Sequence, residues 1–187
     1  KAIDEATMDW VLQLDADEVV SHELSKEIRE TIESNRFDGY WIPRKNYFLG
    51  RFLLKGGQYP DYTLRLYKKG KGRLPQKDVH EQAVVKGEVG YLKNPLLHYP
   101  YKNFSDYIFK WRRYNNIFTM QIKLESKNKS IFGKAWMFPD YLFIKPIVWF
   151  LSSFIRHKGF YDSWQGFIFS FFSSLRFPIS YIKYLNL

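Results

Sequence analysis

A chain of 187 residues with 45% hydrophobic content can bury one substantial core, which excludes the disordered, collagen-like and disulfide-scaffold classes. The absence of cysteine excludes a disulfide framework, a thiolate metal site and a thiol nucleophile, and fits a cytoplasmic setting. The net charge of +10 is uneven: residues 1–98 carry 16 Lys+Arg against 15 Asp+Glu, residues 99–187 carry 13 against 4, and 26 of the 37 aromatics follow residue 98. A basic, aromatic half of this kind points to a polyanionic surface, either nucleic acid or an anionic membrane.

In chain order, the chain opens on Lys1 without a secretory leader pattern. Trp10-Val11-Leu12-Gln13-Leu14 then reads as a buried strand that delivers Asp15-Ala16-Asp17-Glu18 at its C-terminal end, where α/β sheets keep their ligands. Ser21 can cap a helix over 22–34, with Glu23 in its first turn and Leu24, Ile28 and Ile32 as its buried stripe. From Phe37 the periodicity changes to two, predicting strands over Gly39–Arg44, Tyr62–Tyr67, Val79–Val85 and Gly90–Leu97, with Gly56-Gly57 and Gly70-Lys71-Gly72 in loops. A second helix is expected from Ser105 to about Leu124, burying Ile108, Trp111, Phe118 and Ile122 and exposing Lys110, Arg112, Arg113 and Lys123.

The last third carries two apolar helical faces. One holds Ile144, Ile147, Val148, Leu151, Phe154 and Ile155, and the other Trp164, Phe167, Ile168, Phe171, Phe172 and Leu175, with serines and Gln165 largely opposite. The uncharged run Ser163–Leu175 is too short for a spanning helix, so these segments are expected to lie in the plane of a membrane interface, peripheral at the inner face of the cell membrane. Closure of the core, or a dimer interface, is the competing use of the same faces.

Two carboxylates one residue apart at a strand end can share a hard cation, Mg²⁺ or Mn²⁺, with the diphosphate and ribose of a nucleotide. Such a cation neutralises charge developing on a departing diphosphate. Loop acids capping the following helix are the alternative.

The run Asp9–Glu18 resembles the nucleotide-sugar metal motif of the family 2 glycosyltransferases. Further matches follow in order: Gly56-Gly57-Gln58-Tyr59-Pro60, Tyr62–Tyr67, Val79-His80-Glu81 and Leu97-His98-Tyr99 are similar to that family's glycine loop, acceptor-site strand, catalytic acid motif and C-terminal histidine. Within the family the chain most resembles the lipopolysaccharide core glucosyltransferases. The resemblance implies an α/β fold, the C-terminal part of a GT-A (Rossmann-like) domain over residues 1–103, followed by amphipathic, membrane-associated α-helices over 104–187. It also implies that the opening strands and the nucleobase site of such a domain precede Lys1, so that this piece alone is expected to be weak or inactive.

By the same resemblance, Asp17 is the direct metal ligand, Asp15 turns to ribose or a metal-bound water, and His98 adds a ligand or a diphosphate contact. A core histidine satisfied by backbone is the alternative for His98. Glu81 is the general base that deprotonates the acceptor hydroxyl in one inverting displacement, although His80 or Asp78 could take that role, because the family usually shows Glu-Asp where this chain has His80-Glu81. Glu81 could equally be a solvated acid paired with Lys77.

Arg65 could hold a diphosphate oxygen, or be a surface strand arginine. Gly56 and Gly57 would let backbone approach the donor sugar, or form a plain turn. The expected partners are a nucleotide sugar, with UDP-glucose the family-weighted donor, a lipid-linked or lipopolysaccharide acceptor, and an anionic membrane surface, with no nucleic acid. The rival class is a non-catalytic membrane-surface or nucleic-acid-binding module, which leaves Asp15, Asp17, Glu81 and His98 unexplained.

Overall fold

A computed structural model describes residues 5–73 and 82–187. His80 and Glu81, with Asp78, lie outside the described residues. The chain forms two compact units, the first from residues 1–47 and 58–100 and the second from residues 48–57 and 101–187.

The first unit is a mixed sheet carrying one helix. Its strands are β1 (Trp10–Leu12), β2 (Glu18–Val20), β3 (Gly39–Phe48), β5 (Asp61–Lys68), β8 (Val89–Tyr91) and β9 (Leu96–His98), whereas β4 (Arg51–Leu53) belongs to the second unit. The main path runs β1-β5-β3-β9-β2, and β8 joins the same edge of β3 as β9. β1 with β5, β5 with β3 and β9 with β2 are antiparallel, whereas β3 with β8 and with β9 is parallel. A small separate ribbon pairs β6 (Gly72–Arg73) with β7 (Val84–Val85).

Three expectations are corrected here. β1 stops at Leu12 and is a half-buried strand at the end of the sheet path, because an antiparallel edge covers only part of its surface. The strand expected over Gly90–Leu97 is two strands, since Pro95 has no N–H to give a ladder. Of Val79–Val85, only Val84–Val85 is a strand among the described residues.

Helix α1 (His22–Ser34) matches its sequence signals. Ser21 Oγ accepts the N–H of Leu24 at 3.1 Å, a cap that contributes about 1 kcal/mol. Leu24 and Ile28 are buried against Tyr40, Ile42, Leu66, Leu92 and Leu96, with Ile32 packed at the rim. This cluster glues helix to sheet and fixes the turn that precedes α1.

The second unit is built differently. Helix α2 (Phe104–Lys127) buries Tyr107, Asn115, Thr119, Ile122 and Ser126, and the long α5 (Ser163–Leu185) buries Gln165, Gly166, Ser170, Ser174, Phe177, Ser180 and Tyr181. Where they meet, Thr119 Oγ1 donates to the carbonyls of Asn115 and Ser180, and Ser180 Oγ donates to the carbonyl of Asn115. Small and hydroxylated residues let helix backbones approach closely, the packing mode of helices in lipid. Conversely Phe109, Ile117, Met120 and Leu124 of α2 and Trp164, Phe167 and Phe171 of α5 are exposed. The expectation for α2 thus holds for Ile122 and in part for Ile108, Trp111 and Phe118, but α2 also turns a set of large apolar residues outward.

Between them a continuous helical stretch runs from Ile131 to Arg156: α3 (Ile131–Pro139), a π-turn (Asp140–Ile144), α4 (Lys145–Phe150) and a second π-turn (Leu151–Arg156). Both Pro139 and Pro146 are carried inside it, and the first π-turn, which lies between them, absorbs the register that proline, lacking an N–H, disturbs. By length and composition this stretch is long and apolar enough to cross a membrane. The expectation from uncharged runs alone missed it because Asp140 and Lys145 interrupt the run, yet they pair at 3.0 Å. Ile144, Ile147, Val148, Leu151 and Ile155 are all exposed, so this apolar face does not close the core of its own unit among the described residues.

The segment 48–57 joins this unit through Asp162. That carboxylate, 2% exposed, accepts the N–H groups of Leu54 and Lys55, the latter at 2.7 Å, and lies 3.7 Å from the Arg51 guanidinium. Asp162→Ala strands two backbone donors and should cost about 2–4 kcal/mol in chemical denaturation, whereas Asp162→Asn keeps an acceptor and should cost less. Equal losses for the two variants would contradict this role.

Candidate functional site

Asp15, Ala16 and Asp17 form a tight turn between β1 and β2. The turn is closed twice, by the Glu18 N–H to the Asp15 carbonyl at 3.0 Å and by the Asp15 N–H to Glu18 Oε2 at 3.0 Å. Two flanking strands pin its ends: the Gln13 N–H donates to the Arg65 carbonyl and the Tyr99 N–H to the Asp17 carbonyl, both at 2.8 Å. The acids are therefore not caps of α1, a job that Ser21 does.

Strand register then places a set of polar side chains around the turn. Glu18 pairs with His98 across β2 and β9, His98 with Asn46 across β9 and β3, and Arg44 with Asp61 across β3 and β5. Arg65 donates to both Asp15 and Glu18, the latter at 2.8 Å. Arg44 reaches Glu18 at 3.4 Å and grips one oxygen of Asp61 through Nε at 3.0 Å and a terminal nitrogen at 2.7 Å. Asn46 donates to Asp61 at 3.3 Å, its Oδ1 meets His98 Nδ1 at 2.7 Å, and His98 Nε2 lies 3.5 Å from Asp17. The chain Asp15–Arg65–Glu18–Arg44–Asp61–Asn46–His98–Asp17 is a ring that begins and ends on the two acids of the turn.

Burial divides the labour within the ring. The Glu18 side chain is 0% exposed, whereas Asp15 and Asp17 are 53% and 42% exposed. A buried carboxylate between two arginines holds structure; an exposed one can meet a ligand. Burial, then the nearby Arg44 charge, pushes the His98 imidazole below its ordinary pKa, against the opposing pull of Asp17, Glu18 and Asp61. His98 is thus a half-buried ring bonded to side chains, not a core histidine satisfied by backbone.

For a divalent cation, the fit is partial and chemically sensible. Among the described residues no three His, Asp or Glu side chains gather as a metal set. Asp17 and His98 form a pair with one open side, and Mg²⁺ or Mn²⁺ needs few protein ligands when substrate phosphates and water complete the shell. Asp15 is held by Arg65 through one carboxylate oxygen.

Other expected site residues fall elsewhere. Arg65 is 8% exposed, so it is no surface arginine; its guanidinium is occupied by Asp15 and Glu18, with a buried, unpaired Nε. Gly56 and Gly57 belong to the second unit, where both adopt positive φ (65° and 76°) and the Gly56 N–H donates to the His157 carbonyl at 2.9 Å. Of the basic set on α2, Lys110 lies near Asp106 at 3.7 Å, while Arg112 and Arg113 are exposed. The sequence reading missed the roles of Glu18, Arg44, Asn46 and Asp61. Alternation along β3 places Arg44 and Asn46 on one face, a signal present in the sequence, but their partners emerge only from long-range register.

No protein-family model matches the sequence. A mixed α/β unit with two acids on a turn beside a histidine is nonetheless compatible with a glycosyltransferase domain, and a known protein supports that relationship. The chain is 27% identical over 186 residues to the lipopolysaccharide core biosynthesis glycosyltransferase LpsC of Rhizobium meliloti (strain 1021), a match that covers 94% of this chain. The chain spans 66% of the length of LpsC, just under two thirds.

The ring makes a thermodynamic prediction. Glu18→Gln and Arg65→Gln each remove one partner of a buried ion pair, leave the other with only its second partner, and should each cost about 3 kcal/mol. The double variant should cost at least about 1 kcal/mol less than the sum, because the second change removes the group that the first one stranded. Additive losses in a denaturation cycle would contradict the bridge.

Proposed function

We propose that the chain carries the metal-binding and acceptor-side part of an inverting glycosyltransferase of GT-A type, which moves a sugar from a nucleotide-sugar donor to a lipopolysaccharide-core or other lipid-linked acceptor. The observation that carries this reading is the ring ending on Asp15 and Asp17: it spends Arg65, Arg44, Asp61, Asn46 and the buried Glu18 carboxylate on orienting two exposed acids and a histidine. A purely structural turn needs no such support.

In the proposed mechanism Asp17 and His98 hold Mg²⁺ or Mn²⁺, which would supply charge neutralisation at the leaving diphosphate. Asp15, held by Arg65, orients the ribose. Glu81, with His80 as its neighbour and alternative, accepts the proton of the attacking acceptor hydroxyl. UDP-glucose is the proposed donor on family resemblance.

The second unit is proposed to meet the anionic inner face of the cell membrane. Its hydroxyl-lined helix contacts and outward Phe, Trp, Ile and Val side chains support this reading, because in water such an arrangement leaves apolar area unburied, whereas in a lipid interface the same surface is solvated. The basic residues of α2 would lie against anionic headgroups.

The test is Asp17→Asn in the full-length protein, assayed with Mn²⁺, nucleotide sugars and lipid-linked acceptors by product mass. Transfer should fall by at least about 100-fold, the scale of a lost electrostatic stabiliser of the transition state. Retained transfer would remove Asp17 from the mechanism.

A further inference from the structure

Among the described residues, Arg176 of α5 is a cation with no anion beside it. Its guanidinium carbon lies 4.3 Å from the ring centroid of Trp149, 4.8 Å from Phe177 and 5.5 Å from Phe118. Its Nε is buried and makes no hydrogen bond, and no carboxylate of the described residues pairs with it. Acids of the surrounding helices are committed elsewhere: Asp140 to Lys145 at 3.0 Å, and Glu125 to Lys129 at 3.0 Å and to the Tyr141 hydroxyl at 2.8 Å. By contrast, Lys183 of the same helix is bonded to Asn116 at 2.7 Å.

A guanidinium keeps its charge in any protein setting, so half-burial without a counter-charge leaves it seeking an anion. The three rings attract it through their faces and hold the planar fork in one orientation. A fixed fork suits two oxygens of a phosphate. The neighbouring surface is apolar: Ile144, Val148 and Trp149 on the Ile131–Arg156 stretch are exposed. A ligand that satisfies both features carries a phosphate and a hydrocarbon chain.

We propose that Arg176, caged by Trp149, Phe177 and Phe118, anchors the phosphate of a lipid whose chain lies against the adjacent exposed apolar helix face. The proposal rests on the reading that the second unit meets lipid. Two sources share this chemistry, the headgroup of a bilayer phospholipid and a phosphate that links an acceptor to its lipid.

The probes are farnesyl phosphate in calorimetric titration and sedimentation with vesicles of phosphatidylcholine, with or without phosphatidylglycerol. Arg176→Gln should weaken farnesyl phosphate binding at least about tenfold, while Lys183→Gln should change it less than about twofold. Farnesol and inorganic phosphate, each carrying half of the ligand, should both bind far more weakly. Should Arg176→Gln lose its far-ultraviolet circular dichroism, Arg176→Lys carries the test: it keeps charge without the fork and should bind more weakly than the wild type.

Unchanged farnesyl phosphate binding in the folded Arg176 variant overturns the proposal, as does inorganic phosphate binding as tightly as farnesyl phosphate. If Arg176→Gln also loses the phosphatidylglycerol-dependent part of vesicle binding, the bilayer headgroup is the source; if it loses only farnesyl phosphate, the lipid-linked phosphate is. Failure of the wild type to bind any vesicle overturns the membrane reading alone, and the farnesyl phosphate titration still decides the role of Arg176.

Discussion

The first unit depends on one buried carboxylate. Glu18 sits between the guanidinium groups of Arg44 and Arg65 while its other oxygen accepts the Asp15 N–H. An ion taken out of water is costly unless its partners are close and its lone pairs filled, and Glu18 meets both conditions. In return it ties together β2, β3 and β5 at the point where the chain turns from β1 into β2. Arg65 passes the constraint to Asp15, and Arg44 passes it through Asp61, Asn46 and His98 to Asp17. Two exposed acids, otherwise free to rotate, are thereby aimed. Pre-aimed charge of this kind is what a site for a cation and a diphosphate requires.

The two units solve opposite burial problems. In the first, a conventional apolar cluster of α1 residues against Tyr40, Ile42, Leu66 and Leu96 supplies cohesion, and polar groups gather at the turn. In the second, the fully buried Ser170 and Ser180 stand where a soluble bundle would place leucine, and large apolar residues face outward. The stacked pair Phe167 and Phe171 extends the same outward surface. Arg176 fits this logic, since its guanidinium lies over the rings of Trp149 and Phe177.

What was legible in the sequence followed local physics. Ser21, Glu23 and the Leu24–Ile28–Ile32 spacing gave α1 with its boundaries, because capping and helical period act within a few residues. The acids of the turn were likewise visible as residue types at a strand end. The ring was not, since Arg44 meets Asp61, and Asn46 meets His98, only through the mixed pairing of β3, antiparallel on one side and parallel on the other. Helical period also misled in the second unit: it separates an apolar face from a polar one without saying which faces inward. The inward serines of α5 and the outward Phe109, Ile117 and Met120 of α2 depend on the surroundings of the unit rather than on local preference.

In the proposed site the ring aims Asp17 and His98 at a shared divalent cation, which anomalous diffraction from crystals grown with Mn²⁺ and uridine diphosphate would locate. A strong manganese peak is expected between the Asp17 carboxylate and His98 Nε2, with Glu18 still buried between Arg44 and Arg65. A site empty of manganese in crystals that hold the diphosphate, or a peak centred on Glu18 or Asp61, would contradict it.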